Sequence, residues 1–229
     1  MKKIVILAIA LSLCSTSSFA VDAGSLKRAA DKSSNWLIEQ FNLKLSSFGS
    51  GPNAQSPEQS AMVLKALCEA PRDYKEASGP FITEPLKLLL SKINADGSLK
   101  DSTMQENEAL QWIVSALKAT GNPKYGDTIE SLRARAKQAP KPQLPEFDPS
   151  QLSPENTDAA NLRNALFAAH MLFEKNQNEV MLDGKSVKWS EVLGAALLKL
   201  QKPNGSFGDD IPAKAMALSA LEWCWKNLK

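Results

Sequence analysis

Histidine and cysteine are scarce in this chain of 229 residues, which holds one histidine and three cysteines. Only His170, Cys68 and Cys224 remain once the first twenty residues are set aside. A zinc site in a protein takes three or four ligands from His, Cys, Asp and Glu, and the sequence offers no motif with the usual ligand spacing. We therefore predict neither a bound metal nor a cofactor.

The chain also lacks an excess of charge of either sign. Lysine and arginine number 27, aspartate and glutamate number 25, and Lys2 and Lys3 are the only charged residues among the first twenty. The remainder carries 25 residues of each sign and is formally neutral. Without a basic run it has little attraction for phosphate backbones, so we predict no nucleic-acid partner.

Long hydrophobic runs are missing except at the start of the chain. A positive beginning and an apolar stretch over residues 4–13 precede small residues at Ser18 and Ala20. This pattern predicts a signal peptide over residues 1–20, with cleavage near Ala20 and export to the periplasm or beyond. The apolar stretch is shorter than a membrane-spanning helix and no later one approaches that length, so no transmembrane segment is predicted.

A lipid anchor at Cys14 is an alternative to simple cleavage. Residues 11–14 read Leu-Ser-Leu-Cys, which has the form of a lipoprotein box. Leu13 fits this alternative poorly, because the residue before a lipidated cysteine is normally a small one.

A repeat of about fifty residues runs through the rest of the chain. Four apolar, alanine-containing helical segments end at residues 67, 117, 169 and 221, with spacings of 50, 52 and 52. A more amphipathic helix precedes each of them, and these leading helices are predicted at about 25–41, 83–93, 127–137 and 186–200. Ser-Pro-Glu sequences at Ser56 and Ser153 supply an N-cap, a proline at the first helical position and an acid in the first turn.

The turn inside each pair recurs as well. The fourth repeat has Gln201-x3-Gly205-x-Phe207, the second has Asp96-Gly97, and the first keeps residues 47–49, Ser-Phe-Gly. Asn-Gly and Asp-Gly are turn dipeptides in which glycine takes the left-handed conformation. In the third repeat a proline-rich loop over residues 138–155 replaces the turn.

The Gln201-x3-Gly205-x-Phe207 sequence resembles the Gln-Trp motif of squalene–hopene cyclases and the related prenyltransferase repeats, with Phe in place of Trp. The resemblance implies an all-α fold, an α/α toroid in which inner and outer helices alternate around a central cavity. Members of that family have five to seven helix pairs, and four are found here. We predict one domain over residues 21–229, with repeats at about 25–70, 83–120, 127–175 and 186–229.

A closed toroid would bring the first and fourth repeats together. Cys68 and Cys224 end the first and last inner helices, so both would then lie at the same rim. A disulfide between them is predicted on this ground, and two buried free thiols are the alternative.

The catalytic motifs that the resemblance brings to mind are incomplete. The prenyltransferase zinc set is missing, and Asp209-Asp210 is the nearest approach to the aspartate-rich motif of the cyclases. Polysaccharide lyases also use α/α toroids, and the third inner helix offers candidates for such a proton transfer. They are Asp158, Asn161, Arg163 and His170. His170 stands among apolar residues, where a hydrogen-bonded core histidine is the common alternative.

Acidic residues recur where the inner helices begin. In a toroid these starts face one mouth, where carboxylates could bind a cation or a polar ligand. They are Glu58, Glu106, Glu108, Asp158, Asp209 and Asp210. Compensation of the helix dipole, worth about 0.3–1 kcal/mol per acid, is a sufficient explanation for all of them.

Together these features favour a non-catalytic binding or interaction protein that uses the toroid cavity or its rim. The partner could be a protein, a saccharide or a lipid-like ligand, since the five tryptophans suit any of them. An exported enzyme of lyase or terpenoid-cyclase type is the alternative function.

Overall fold

A computed structural model describes residues 21–138, 165–166, 169–170, 172–173, 175–182, 184–207 and 210–228. Several predictions fall outside these residues and are not addressed by the structure. They concern the signal peptide, Cys14, Asp158, Asn161, Arg163, Asp209 and residues 139–155 of the proline-rich loop. The structure is mostly helical, at 63 % helix, in agreement with the predicted all-α class.

Seven helices and two short antiparallel hairpins make up the described fold. The helices are α1 (Ala23–Glu39), α2 (Pro57–Glu69), α3 (Pro80–Ser91), α4 (Glu106–Ala119), α5 (Gly126–Gln138), α6 (Trp189–Leu200) and α7 (Ile211–Asn227). The strands are β1 (Phe41–Asn42), β2 (Ser47–Phe48), β3 (Glu179–Leu182) and β4 (Lys185–Lys188). Residues 165–166, 169–170 and 172–173 are also helical.

The two helices that bound the candidate site begin at side-chain caps. The Ser56 hydroxyl accepts the backbone N–H of Gln59 at 3.3 Å, with Pro57 at the first position of α2. The Asp210 carboxylate accepts the backbone N–H of Ala213 at 2.6 Å at the start of α7. Each cap satisfies a donor that the helix leaves open and is worth about 1 kcal/mol.

Helices α2 and α7 occupy the centre of the molecule. Helix α2 packs against α3, α4 and α7, while α7 also packs against α1 and α6. Alanines fully buried on both helices, such as Ala61, Ala66, Ala217 and Ala220, leave room for close approach. The last described helix, α7, therefore contacts the first two helices directly.

The helical residues His170 and Phe173 contact this centre through their aromatic rings. The His170 ring lies 5.6 Å from that of Trp112 on α4 and 5.2 Å from that of Trp223 on α7, measured between centroids. Phe173 stacks on Trp223 at 5.5 Å. Contacts thus run from α2 to α4, from Trp112 of α4 to His170, from His170 to Trp223 of α7, and from α7 back to α2.

The turns of the second and fourth repeats have the same backbone hydrogen bonds. The amides of Gly97 and Gly205 donate to the carbonyl three residues earlier, at 2.9 and 2.8 Å. Both glycines have a positive φ, +78° and +91°. The left-handed glycine predicted for these turns is present in both.

Gln201 ties the fourth turn to the first helix. Its side-chain amide donates to the carbonyl of Ala29 at 2.8 Å and to the hydroxyl of Ser33 at 2.9 Å. Phe207, the last residue of the motif, is buried in the core. Gln201 thus joins the turn before α7 to α1.

The predicted start of the helix over residues 186–200 is wrong. Residues 186–188 belong to β4, and α6 begins at Trp189. Val187 pairs with Val180 across a hairpin that turns at Gly184, where φ is +74°. The β-branched pair and the left-handed glycine favour a hairpin over a further helical turn.

The predicted disulfide is not present. Cys68 and Cys224 are both buried free thiols, and they are not within bonding distance of each other. Burial raises the pKa of the Cys68 thiol to about 12 and raises that of Cys224 as well, so both stay protonated. The start and the end of the described chain are joined by packing of α7 on α1 and α2 instead.

Candidate functional site

A cavity of about 580 Å³ opens at the end of the molecule where α2 and α7 begin. The last turn of α1 forms one side, and the loop over residues 49–54 forms another. Thr103 and Met104, which precede α4, complete the wall. The volume lies within the range of small-molecule sites in proteins. We call this space the rim cavity.

Much of the wall of the rim cavity is apolar. Trp36 comes from α1, Met62 from α2 and Met216 from α7, while Met104 and Ile211 precede or open their helices. Methionine side chains are unbranched and polarizable, so they adjust to ligands of irregular shape. This side of the cavity suits an alkyl chain or a flat ring.

Lys214 and Trp36 form a cation–π pair in the same wall. The Lys214 ammonium lies 3.9 Å from the centroid of the indole ring, and the residue is only 7 % exposed. Such a contact is worth about 2 kcal/mol when it is shielded from water. The lysine thereby orders the aromatic side of the cavity.

Glu58 supplies the most unusual polar group in the wall. It lies in the first turn of α2 and is 3 % exposed. Its Oε1 atom accepts the backbone N–H of Thr103 at 2.6 Å and also the Thr103 hydroxyl. Its Oε2 atom has no hydrogen-bond partner. Glu58 is therefore positioned on one oxygen by neutral donors, and its other oxygen is unused.

The backbone next to the cavity is held by further hydrogen bonds. The Gln59 side-chain amide donates to the carbonyl of Phe48 at 2.9 Å. In the 49–54 loop the Ala54 amide donates to the carbonyl of Gly51 at 3.0 Å. A Cβ atom added at Gly51 would meet nothing within 4 Å, so this stretch is open on its outer side.

Two of the six acids predicted at the inner-helix starts line this site. Glu58 and Asp210 both line the rim cavity. Glu106 does not line it and instead pairs with Arg135, with Oε1 2.9 Å from Nε. Asp209 lies outside the described residues. No group of three or more His, Cys, Asp or Glu side chains suited to a metal ion occurs within the described part of the chain.

The predicted catalytic set cannot be assembled from the described residues. Asp158, Asn161 and Arg163 lie outside them. His170 is stacked between two tryptophans and does not line the rim cavity. The His170 ring is therefore packed between aromatic side chains of two other helices.

A second polar cluster, which the sequence analysis missed, lies in the core. Glu222 on α7 is fully buried, and neither carboxylate oxygen has a hydrogen-bond partner. Burial raises the pKa of Glu222 well above its usual value of 4.5, although Lys226 and Lys65 act in the opposite direction. Nearby, the Lys65 ammonium pairs with Glu69 at 2.5 Å. An acid between Leu221 and Trp223, on an otherwise apolar helix, was the available signal in the sequence.

None of the described helices is both long enough and apolar enough to cross a bilayer. Comparison with protein families, curated proteins and solved structures found no match to this chain.

Proposed function

We propose that this chain is an exported, non-catalytic binding protein, built as an α/α toroid of four helix pairs, that holds a small ligand in the rim cavity. The cyclic contacts among the second helices of the pairs support the toroid. The contacts of Gln201 with α1 add to that support. Export rests on the sequence of residues 1–20.

The rim cavity is the observation that carries the binding proposal. It combines an apolar wall containing Trp36 and three methionines with a buried carboxylate at Glu58. A mostly apolar pocket with a few fixed polar groups is the usual form of a small-molecule site. The ligand is accordingly an amphipathic molecule with an apolar part of modest size.

An enzymatic function of lyase or cyclase type remains the weaker candidate. It depends on Asp158, Asn161 and Arg163, which lie outside the described residues, and on His170, whose ring lies between those of Trp112 and Trp223. No observation at the rim cavity favours it over binding.

Filling the cavity tests the proposal. Met104 is a half-buried wall residue, and Met104→Trp places a larger side chain in the space that an apolar ligand would use. With 1-octanol as the probe, we expect saturable binding to the native chain, detected by NMR shifts of the Trp36 indole. In the M104W variant the affinity should fall at least about tenfold, as expected for loss of roughly 1.4 kcal/mol.

Leu43→Trp is the matched control for this experiment. Leu43 is 63 % exposed and does not line the cavity, so the added indole should leave octanol binding unchanged. Equal binding by the M104W variant, or the absence of any saturable binding by the native chain, would overturn the proposal.

A further inference from the structure

Methionine is concentrated at the rim cavity. In the part of the chain that the structure describes, Met62 and Met216 are the only buried methionines, and both line this cavity. Met104, which is half-buried, lines it as well. The remaining described methionine, Met181, is 59 % exposed on β3. Leucine and alanine dominate the core elsewhere, so the cavity wall differs from the core in its content of thioether groups.

Thioether groups give the wall two properties that leucine would not give it. Methionine is unbranched and polarizable, so its side chain adjusts to the shape of a ligand. Its sulfur atom is also oxidised by peroxides, and the product is a polar sulfoxide. A wall that contains methionine is therefore both adaptable and sensitive to oxidants.

Met104 is the wall methionine that an oxidant in solution reaches most readily. It is half-buried, whereas Met62 is 4 % and Met216 is 8 % exposed. It lies in the segment before α4, outside any helix, and packs against the edge of the core. The preceding residue is fixed to α2, since the Thr103 N–H donates to Oε1 of Glu58 at 2.6 Å. Met104 is thus held at the wall and remains partly open to solvent.

We propose that oxidation of Met104 to its sulfoxide switches off ligand binding in the rim cavity. The oxidant is hydrogen peroxide or an organic hydroperoxide. A lone pair of the Met104 sulfur attacks one peroxide oxygen, an S–O bond forms and the O–O bond breaks. The sulfur loses two electrons, and the peroxide is reduced to water or to an alcohol. This inference rests on the proposed function, because it concerns the regulation of the same cavity.

The sulfoxide oxygen changes what the wall can bind. It is a strong hydrogen-bond acceptor, and an apolar ligand packed against it would remove its water without supplying a donor. Burial of a polar group without a partner should lower the affinity roughly 5- to 100-fold. Methionine sulfoxide reductases reverse the oxidation with electrons from a dithiol, so the change is a switch and not permanent damage.

Limited oxidation of the native full chain with hydrogen peroxide tests the proposal. Peptide mass mapping follows each methionine, and calorimetry with 1-octanol as the probe follows binding. Met181 should be oxidised first and Met104 next, with Met62 and Met216 much slower because they are buried. The octanol affinity should fall along the time course of Met104 and not along that of Met181. Treatment with methionine sulfoxide reductases and dithiothreitol should restore it.

Protection by the probe gives a reciprocal test that needs no substitution. Octanol bound in the cavity covers Met104 and leaves Met181 exposed. It should therefore slow the oxidation of Met104 in proportion to the fraction of chains that hold octanol, while Met181 reacts at its former rate. An unchanged rate at Met104 under saturating octanol would contradict the proposal.

Met104→Leu removes the sulfur and keeps an apolar side chain of similar volume. Each variant is compared with itself before and after peroxide, so an effect of the substitution on the starting affinity does not enter the comparison. After peroxide, M104L should retain its own octanol affinity. Met181→Leu is the matched control, because Met181 does not line the cavity. M181L should lose affinity after peroxide as the native chain does.

The remaining outcomes separate the switch from the binding function. Oxidation of Met104 no faster than that of Met62 and Met216 would overturn the proposal, since Met104 would then be out of reach of the oxidant. So would an unchanged octanol affinity once Met104 is fully oxidised, or an equal loss of affinity in M104L. Absence of saturable octanol binding before any peroxide is added would instead overturn the binding function itself.

Discussion

At the scale of single residues, the two buried glutamates have different environments. Glu58 has one oxygen in hydrogen bonds with Thr103 and faces a cavity. Glu222 has neither oxygen in a hydrogen bond and is fully buried in the core. The second arrangement is a source of instability that depends on pH.

Glu222→Gln should stabilise the protein at neutral pH. Burial raises the folded-state pKa of Glu222 above 4.5, so the folded state holds this proton more tightly than the unfolded state. Its contribution to stability is therefore greatest below about pH 4.5 and is lost as the pH rises toward the folded pKa. We expect E222Q to raise the free energy of unfolding at pH 7 by about 1–3 kcal/mol, the cost of burying a polar group without a hydrogen-bond partner.

Urea unfolding at several pH values between 4 and 8 measures this effect. The gain from E222Q should grow with pH across that range, whereas Glu39→Gln on the exposed face of α1 should give a constant, small change. The groups that act on Glu222, namely Lys65, Glu69 and Lys226, stay unaltered in both variants. A gain that is independent of pH would contradict the assignment.

The two core cysteines give a second prediction at this scale. Because Cys68 and Cys224 are buried, and burial raises the pKa of both thiols, a thiol reagent should react very slowly with the native protein. After denaturation without reductant, a chain beginning at Val21 should release two thiols. Finding none would restore the disulfide that the sequence suggested.

At the scale of elements, the helix pattern was predictable and the hairpins were not. Helical periodicity placed the leading helices within a few residues of α1, α3 and α5, because amphipathic spacing over several turns is a strong signal. The strands β1 and β2 have two residues each and leave too short a pattern to recognise. Residues 186–188 of β4 join directly to the apolar period of α6, so the sequence pattern predicts helix there.

The turn at Gly205 should tolerate a side chain in place of its glycine less well than the turn at Gly121. Its φ of +91° disfavours any side chain, and an added Cβ would lie 2.5 Å from the carbonyl oxygen of Lys32 on α1. At Gly121 the φ is +68° but nothing lies within 4 Å of an added Cβ. We expect Gly205→Ala to cost at least about 3 kcal/mol of unfolding free energy, and Gly121→Ala about 1–2 kcal/mol.

Chemical denaturation of both variants measures the two costs side by side. The difference between them isolates the contact with α1, because both substitutions share the strain of a left-handed backbone. Equal losses would mean that α1 is not held against the fourth turn.

The rim cavity is formed by several elements, and only part of its lining could be predicted from the sequence. Shared position at the inner-helix starts predicted that Glu58 and Asp210 would lie near one another, and both line the cavity. The same reasoning placed Glu106 beside them, but its carboxylate forms an ion pair with Arg135. Which acid faces open space depends on the loop over residues 49–54 and on Trp36 of α1, and neither carries a recognisable motif. Long-range packing of this kind is not encoded in local spacing.

At the scale of the whole molecule, contact between the first and last repeats distinguishes a ring from an open array. In an open solenoid a terminal repeat contacts only its neighbour, and its loss leaves the others folded. Here α7 packs against α1, α2 and α6, and it carries fully buried residues such as Leu218 and Leu221. Each such leucine contributes roughly 2–5 kcal/mol, so a few of them equal the whole stability of an ordinary domain.

A chain ending at residue 208 should therefore fail to fold. It lacks α7, and α1 and α2 would both expose the surfaces that α7 covers. Circular dichroism should show most of the helical signal lost, and heating should give no cooperative transition. Adding a peptide of residues 209–229 should restore both, whereas the same peptide carrying Leu218→Asp and Leu221→Asp should not, because it cannot bury those positions. A truncated chain that keeps a cooperative transition would mean that the repeats fold as an open array and that the contact of α7 with α1 is secondary. Restoration by the native peptide alone would tie the stability of the first repeat to the last one, as a closed toroid requires.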